Sequence, residues 1–406
     1  MKTGKESQKL FQRASKVIPG GIYGHTSPIS GLPDVFPYYC RRAQGCTFED
    51  VDGRVWIDYM CGYGALLHGY LHPEVEAAVT LQRESGSVFN QPAEIMVKLA
   101  EKITEIIDFA QWCVFAKNGS DLTTWAVRVA RQHTGRSIVI KAAGAYHGVD
   151  AWCDPGFGGR IPSDREHVLE FQWNDLDELK DLMSKLSDKV ACLILTPFHH
   201  PSFGASVLPQ DGFWSGVRDL CEKYGVILIL DDVRCGGRLD DGGSHKYFNF
   251  SPELAIYSKA LGNGYAISSC VGRDFLRKAS MEVFLTGSCW NDAIAMSAAF
   301  ASLEISLRNS VAQNVLNKGR DFCSGIKKIA AKNGFSLSMT GPSSMPYPYF
   351  DEDSDLFLLQ KFCRLAAQEG LFFHPHHNWF ISNALDIEMI SETLKRTENV
   401  FSLLAS

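Results

Sequence analysis

The stretch that decides the fold is VILILDDVRCGGRLDDGGSHKYFNFSPELAIYSKALGNGYAISSCVGR, from Val226 to Arg273. It begins with an apolar run that ends at Leu230 and is followed directly by two carboxylates, Asp231 and Asp232. A run of this length is too short to cross a membrane and predicts a strand that is buried on both faces. Ligands of open parallel sheets bind at the carboxyl ends of the strands, so we expect the two acids at a binding site.

Lys259 lies farther along this stretch, between Ser258 and the glycine-spaced turn Gly262-Asn263-Gly264. Its surroundings are otherwise apolar, and desolvation in such surroundings lowers the pKa of a lysine from its usual value of about 10.4. A lysine with a lowered pKa is a usable amine nucleophile. The sequence therefore makes Lys259 a candidate for covalent chemistry.

The segments LILDDV and YSKALGNGY, which contain Asp231 and Lys259, resemble those of the class III aminotransferases. This family depends on pyridoxal 5'-phosphate (PLP). Within the family, the sequence motifs of this chain most resemble those of the glutamate-1-semialdehyde aminomutase branch. The resemblance covers nearly the whole chain. It implies the α/β architecture of PLP-dependent transferase fold type I, in which a mostly parallel central sheet forms a large domain beside a smaller α+β domain.

The resemblance also implies an enzyme, a class III aminotransferase that moves an amino group between a small-molecule amino donor and a carbonyl acceptor. Lys259 would form the resting Schiff base with PLP, and its released amine would move a proton between the substrate carbon and the cofactor. Asp231 would pair with the pyridine nitrogen and keep it protonated. Lys259 and Asp231 are therefore the predicted catalytic residues.

The order of the predicted elements favours the same architecture from the residues alone. Strand-like and helical runs alternate through the middle of the chain, as they do in mostly parallel α/β sheets. The pair Asp52-Gly53, between two strand-like runs, predicts a hairpin near the N-terminus. We predict an N-terminal segment at 1–60 that packs with the small domain, a large PLP-binding domain at 61–290 and a C-terminal small domain at 291–406.

A phosphate site is predicted at Asn118, Gly119 and Ser120, which follow a short apolar run and precede the amphipathic run 121–132. A strand, a glycine turn and a helix N-terminus attract anions because free backbone N–H groups and the helix dipole both favour negative charge. The alternative is that Ser120 is simply the N-cap of the helix. The family typically has Ser-Gly-Thr here, so this chain keeps the hydroxyl, and the resemblance implies contact with the cofactor phosphate.

Two further residues are predicted to sandwich the cofactor ring. Tyr146 lies at the end of a strand-like run, in Gly144-Ala-Tyr-His-Gly148, and the family's motif places this tyrosine over the ring. Alternation along a strand puts Asp231 and Val233 on one side and Asp232 on the other. We therefore expect Val233 to pack on the ring face opposite Tyr146 and Asp232 to be a structural acid.

The resemblance implies that Thr286 donates a hydrogen bond to the phosphate of the neighbouring subunit's cofactor, and hence a homodimer with shared active sites. Tyr63 and Trp290 are the candidate substrate residues, with simple packing as the alternative for Tyr63. The aminomutase itself carries an arginine in its N-terminal segment for the substrate carboxylate. The matching residues 24–28 contain none. An aminotransferase is therefore preferred, with an intramolecular aminomutase as the alternative.

Composition excludes several other classes. A formal net charge of −6 leaves no general basic surface for nucleic acid, and no stretch is long and apolar enough for a membrane span. The N-terminal residues carry scattered charges, unlike a secretory signal. Twelve cysteines without a Cys-x-x-Cys pair favour a reducing compartment, and we predict a cytoplasmic protein.

Rival chemistries lack their motifs. The histidines of His199-His200 and His374-Pro-His376-His377 do not have the spacing of a zinc-binding helix, and no cysteine pair supports a structural zinc, so no metal is predicted. No dinucleotide fingerprint follows a strand, and no nucleophile elbow is present. A non-catalytic PLP-fold protein is disfavoured because Lys259, Asp231 and Ser120 are all retained.

Overall fold

The computed structural model describes residues 4–22, 35–201, 204–351 and 353–406. Its helices, in chain order, are α1 (Lys5–Ala14), α2 (Cys61–Gly64), α3 (Pro73–Ser85), α4 (Glu94–Ile106), α5 (Gly119–Thr134), α6 (Leu176–Lys185), α7 (Phe213–Tyr224), α8 (Ser244–Tyr247), α9 (Arg277–Glu282), α10 (Ala293–Asn309), α11 (Val311–Lys332), α12 (Phe357–Gln368) and α13 (Ile387–Ala405). Short 3-10 turns lie at Pro162–Asp164, Lys259–Gly262 and Asp274–Leu276.

The strands are β1 (Cys40–Gln44), β2 (Thr47–Asp50), β3 (Val55–Asp58), β4 (Trp112–Ala116), β5 (Ile138–Ala142), β6 (Val168–Phe171), β7 (Val190–Leu195), β8 (Ile227–Asp231), β9 (Leu254–Tyr257), β10 (Ser268–Gly272), β11 (Leu337–Thr340), β12 (Tyr347–Phe350) and β13 (Leu371–Phe372). The predicted hairpin is confirmed, because β2 and β3 pair antiparallel on either side of residues 51–54.

The main sheet of the described chain has the strand order β4-β10-β9-β8-β7-β5-β6. Strands β5 to β9 pair in parallel, and β10 runs antiparallel to both β9 and β4. Helices such as α5 and α7 connect successive strands, so the sheet is covered on both faces. The predicted α/β fold with a mostly parallel central sheet is confirmed.

Strand β8 is buried on both faces, as its continuous apolar sequence predicts. Leu228 and Leu230 belong to one apolar core, whereas Ile227 and Ile229 belong to the core that packs with α5. Val233 packs against this second core. The alternation of side chains therefore continues past the end of the strand, and it separates Val233 from the side of Leu228 and Leu230.

By their contacts the described residues form two units. One contains the residues up to His72 together with Asn314–Ser406, and the other contains nearly all residues from Pro73 to Gln313. The first unit holds the sheet β1-β2-β3-β13 and the pair β11-β12, and the second unit holds the main sheet. The predicted domain limits at 60 and 290 stay a prediction. Within the described ranges, no helix is both long and apolar enough to cross a membrane.

Candidate active site

Three neighbouring parallel strands, β5, β7 and β8, bring polar side chains to one edge of the main sheet. Leu195 at the end of β7 pairs with Leu230 of β8, and Lys141 near the end of β5 pairs with Ile194 of β7. The segments that follow the strands therefore start side by side. They contain Tyr146 and His147 after β5, His199 and His200 after β7, and Asp232 to Arg234 after β8, whose last residue is Asp231.

The carboxylate of Asp231 is held by two hydrogen bonds. Its Oδ2 lies 2.7 Å from Nδ1 of His147, and its Oδ1 accepts a bond from the backbone N–H of Val233 at 3.2 Å. Asp231 is 5% exposed and His147 only 2%. The carboxylate is thus fixed in direction and retains acceptor capacity for a further N–H donor.

His147 is a site residue that sequence reasoning missed. It lies next to Tyr146 in the same glycine-bounded motif, and that neighbourhood was the available signal. Its partner, however, is 84 residues farther along the chain. The contact forms because β5 and β8 both pair with β7 and end at the same edge of the sheet.

The second acid, Asp232, has a different environment. Its carboxylate accepts hydrogen bonds from the backbone N–H of Ser244 at 2.8 Å and from the Ser244 hydroxyl at 2.5 Å. The side chain is fully buried, and this burial raises its pKa to about 7. Asp232 therefore anchors the loop before α8.

Lys259 begins the 3-10 turn that follows β9, and its backbone φ of 47° lies in the left-handed region. A residue with a Cβ typically pays about 1–2 kcal/mol for that conformation, so surrounding contacts must hold it there. Burial is the largest influence on the pKa of Lys259, the positive charge of Arg234 acts in the same direction and the charge of Asp231 opposes both, and together they lower the pKa to about 7. The neutral amine therefore forms at a much lower pH than in an exposed lysine.

The residues of the predicted anion site, Asn118, Gly119 and Ser120, lie at the N-terminus of α5. The helix is capped by Asn118 rather than by Ser120, and the Asp121 carboxylate accepts a hydrogen bond from the Asn118 backbone N–H at 2.9 Å. The Ser120 hydroxyl instead accepts a bond from the backbone N–H of Val149 at 3.2 Å. The alternative that Ser120 is only an N-cap is therefore wrong, because the helix begins one residue earlier, at Gly119.

Two glycines bring these segments into close contact. A Cβ on Gly119 would lie 2.8 Å and 2.9 Å from the two methyl carbons of Val233. A Cβ on Gly148, whose φ is 137°, would lie 2.7 Å from the Ser120 hydroxyl oxygen. The start of α5, the segment after β5 and the segment after β8 therefore meet at one point.

Since Gly119 belongs to the predicted phosphate site, Gly119→Ala is expected to weaken the predicted PLP binding by roughly tenfold, because inserting a methyl group into a packed contact typically costs about 1–3 kcal/mol. The backbone of Gly119 lies outside the left-handed region, so the effect arises from the contact with Val233. The dissociation constant of PLP, measured by equilibrium dialysis, checks this. A matched variant that adds Val233→Ala should recover part of the affinity. No recovery would show that the contact does not set the affinity.

The remaining predicted residues are placed as follows. Tyr146 is 37% exposed, and burial of part of its ring raises its pKa. Trp290 is partly buried and packs, like Val233, against the core beside α5. Thr286 is exposed on the segment before α10. Tyr63 lies in the first unit, where its ring centroid is 5.3 Å from that of His377.

The structure thus brings together Asn118, Gly119, Ser120, Tyr146, Asp231, Val233 and Lys259 in the second unit. Residues 24–28, where the missing arginine was noted, lie outside the described residues. In the part of the chain that is described, no group of three or more His, Cys, Asp or Glu side chains could hold a metal ion.

Comparison with known proteins identifies the family. The family model "Aminotransferase class-III" matches residues 32–387. The chain belongs to the class III aminotransferases. An aminopentol aminotransferase of Sphingopyxis macrogoltabida is 38% identical to this aminotransferase over 99% of the chain and 95% of that protein. A 3-aminobutyryl-CoA aminotransferase of Cloacimonas acidaminovorans is 32% identical, over 97% and 98%.

The aminotransferase also has a close structural neighbour. The PLP internal aldimine form of the FumI protein of Sphingopyxis sp. MTA144 has a TM-score of 0.96 and 38% sequence identity, and the match covers 98% of this chain and 96% of that one. Glutamate-1-semialdehyde 2,1-aminomutases are more distant relatives, at 29% to 30% identity. The predicted family, activity class and cofactor are confirmed: a class III, PLP-dependent aminotransferase that acts on small-molecule donors and acceptors.

The side chains present fit PLP. A helix N-terminus with its free N–H groups suits the phosphate, and the fixed Asp231 carboxylate suits a protonated ring nitrogen. The low-pKa amine of Lys259 suits bonding to an aldehyde.

Proposed function

We propose that this enzyme transfers an amino group from a small-molecule amine to a carbonyl acceptor, with Lys259 as the residue that holds PLP covalently. The observation that carries the proposal is the placement of the low-pKa amine of Lys259 within electrostatic reach of the fixed Asp231 carboxylate. PLP, when bound, supplies the electron sink for the reaction. The groups of the chain bind it, orient it and move the protons.

In this proposal each side chain has one task. The backbone N–H groups of Asn118, Gly119 and Ser120 bind the phosphate, with the dipole of α5 behind them. Tyr146 and Val233 would hold the ring between them. These two side chains would thereby restrain the ring and orient a bound donor relative to Lys259.

Asp231 and Lys259 control the protons. His147 donates from Nδ1 to Oδ2 of Asp231, which fixes the carboxylate that would face the ring nitrogen and favour its protonated form. The Lys259 amine both accepts and releases a proton near neutral pH, because its pKa is lowered to about 7. The Lys259 amine would therefore take the proton from the substrate carbon and deliver it to another atom of the reacting molecule.

The rate of PLP association with the apoprotein is expected to rise as the pH rises through about 7. Burial lowers the pKa of Lys259, so the neutral, nucleophilic amine dominates above about 7 instead of above 10.5. Stopped-flow absorbance against pH measures the midpoint. Arg234→Gln removes a cation and should shift the midpoint upward, whereas Arg234→Lys should not. A wild-type midpoint near 10.5 would contradict the burial of a functional amine.

An aminotransferase is favoured over an intramolecular aminomutase in this proposal. The segment 24–28 lacks the arginine that the aminomutase branch uses for its substrate carboxylate. The more similar relatives are named for an aminopentol and for 3-aminobutyryl-CoA. Mixing the PLP enzyme with a panel of amines in single turnovers, and recording loss of the cofactor absorbance, identifies the donor. Glutamate-1-semialdehyde as the sole reactive compound would restore the alternative.

We also propose a homodimer whose active sites are shared through Thr286. The support is that Thr286 is exposed and follows two exposed apolar side chains, Met281 at 80% and Phe284 at 75%. Apolar surface of this kind is often covered by a partner. Tyr63 and Trp290 as substrate residues, and a cytoplasmic location supported by twelve free cysteines, stay part of the proposal.

Thr286→Ala is expected to weaken PLP affinity by about 1.5–3 kcal/mol, the contribution of a hydrogen bond to a charged group. Mixed dimers of Lys259→Ala and Thr286→Ala chains test the sharing in a PLP titration. The site with an intact Lys259 is met by the intact Thr286 of the other chain, so it should regain wild-type affinity. Affinity as weak as that of the Thr286→Ala homodimer would place Thr286 within its own subunit or outside the site.

A further inference from the structure

The segment Tyr146-His147-Gly148 lies past the end of β5, where the sheet no longer supports the chain. Within the ranges that the structure describes, none of these residues takes part in a hydrogen bond between backbone groups. The last bond to a neighbouring strand comes earlier, from the backbone N–H of Ala143 to the carbonyl of Phe171 at 2.9 Å. Buried backbone groups need partners, so side chains from another element must hold this segment.

Hydroxyl groups on the first turns of α5 supply those contacts. The Thr123 hydroxyl donates to the carbonyl of His147 at 2.6 Å, and the Ser120 hydroxyl is bonded to Val149 just beyond. Thr123 is 1% exposed, so water does not compete for its bond. Its hydroxyl also lies 3.2 Å from the carbonyl of Ser120, but a hydroxyl has a single proton and the shorter contact is the stronger bond. Thr123 therefore fixes the backbone of His147.

The side chain of His147 extends this support to the proposed site. Its Nδ1 lies 2.7 Å from Oδ2 of Asp231, and both side chains are buried. The imidazole is a rigid ring on a short side chain, so a displacement of the His147 backbone displaces Nδ1 as well. Hydrogen bonds weaken steeply as their angle departs from linear. The bond from Thr123 therefore influences the direction of the Asp231 carboxylate, although the two residues belong to different elements, α5 and β8.

We propose that Thr123 is a positioning residue that acts through His147 to aim the Asp231 carboxylate at the ring nitrogen of PLP. The inference rests on the proposed function, in which Asp231 pairs with that nitrogen. The expected consequence is selective, because loss of the hydroxyl should weaken only what the cofactor gains from Asp231. The phosphate is proposed to bind backbone N–H groups at the start of α5, which a change of the Thr123 side chain leaves in place.

The test compares two cofactors, PLP and 1-deaza-PLP, in which a C–H group replaces the ring nitrogen. Thr123→Ala should weaken PLP binding by roughly fivefold, the value of one hydrogen bond, and should change the dissociation constant of 1-deaza-PLP by less than about twofold. Thr123→Ser keeps the hydroxyl and should bind both cofactors as the wild type does. Alanine is a strong helix former, so α5 is expected to fold in the Thr123→Ala variant.

Nuclear magnetic resonance of the apoprotein gives a second readout that needs no cofactor. In protein whose histidines are labelled with nitrogen-15, the Nδ1 proton of His147 should exchange slowly with water, because it is buried and bonded to Asp231. Its signal is the one that disappears in His147→Gln. Exchange should be roughly fivefold faster in Thr123→Ala, as the bond loosens, and unchanged in Thr123→Ser.

Thr124→Ala is the matched control. Thr124 is the next residue of α5, but its hydroxyl bonds to the carboxylate of Asp150 and the indole N–H of Trp152. This variant should keep the wild-type affinity for both cofactors and the wild-type exchange rate at His147.

Three outcomes overturn the inference while the proposed function stands, with a pyridoxyl label on Lys259 after borohydride reduction. In the first, Thr123→Ala binds PLP as tightly as the wild type. In the second, it weakens PLP and 1-deaza-PLP equally, as a general disturbance of the site would. In the third, Thr123→Ser is as weak as Thr123→Ala. A wild type without label on Lys259 refutes the proposed function instead, and an unchanged exchange rate at His147 in Thr123→Ala then shows separately that Thr123 does not hold His147.

Discussion

Lys259→Ala is expected to reduce kcat by roughly 10³-fold or more, because one side chain both holds the cofactor and moves the proton. Borohydride reduction of the wild type followed by peptide mapping should place a pyridoxyl label on Lys259. The variant should take up no label at that position. Added methylamine is expected to restore a small part of the activity, since it supplies an amine but not its positioning.

Lys278→Ala provides the matched control, because Lys278 is an exposed lysine on α9 of the same unit. It should retain both the label on Lys259 and the wild-type rate. A label on another lysine in the wild type, or no visible absorbance after incubation with PLP, would refute the assignment of Lys259. Peptide mapping of the pyridoxyl label does not depend on turnover, so its result is valid even when the substrate is unknown.

Asp231→Asn is expected to lower kcat by about 10²–10³-fold while the fold and some PLP binding remain. An amide is isosteric with the carboxylate but carries no charge to keep the ring nitrogen protonated. It also disturbs the bond from His147, which donates to Oδ2 of Asp231. Steady-state rates and PLP affinity of the purified variant are the measurements.

Asp232→Asn is the paired control, with a much smaller expected effect on kcat. Its effect should appear in stability. The folded-state pKa is raised to about 7, so the wild type loses the stabilising protonated form as the pH rises from about 4 to 7. The stability of Asp232→Asn relative to the wild type should therefore increase over that range. If the kcat losses rank the other way round, the assignment of the two acids is reversed.

Most elements of the main sheet were predictable from the sequence. The apolar run that ends at Leu230 forms β8, and the amphipathic run 121–132 lies within α5, which ends before Gly135. A short apolar run between turn residues and an amphipathic run that ends in glycine each have a single stable local solution. The segment of β8 through Lys259 was distinctive enough to indicate the family.

The details at helix ends were less predictable. Asn118 and Ser120 are both good N-cap residues, and composition alone does not choose between them. The structure selects Asn118, because Asp121 is placed three residues later to accept its backbone N–H. The Ser120 hydroxyl instead accepts a hydrogen bond from the backbone N–H of Val149. The position of Val149 depends on how the segment after β5 packs.

The sequence by itself determined the family, the strand that ends in two acids, and the lysine that follows it. These properties are local, since period, turn residues and motif spacing are all read within a few tens of residues. Only the tertiary structure decided that His147 holds Asp231 and that burial raises the pKa of Asp232 to about 7. The physical reason is that hydrogen bonds and desolvation depend on distance through space. That distance is set by the order in which β5, β7 and β8 pair, which no local pattern encodes.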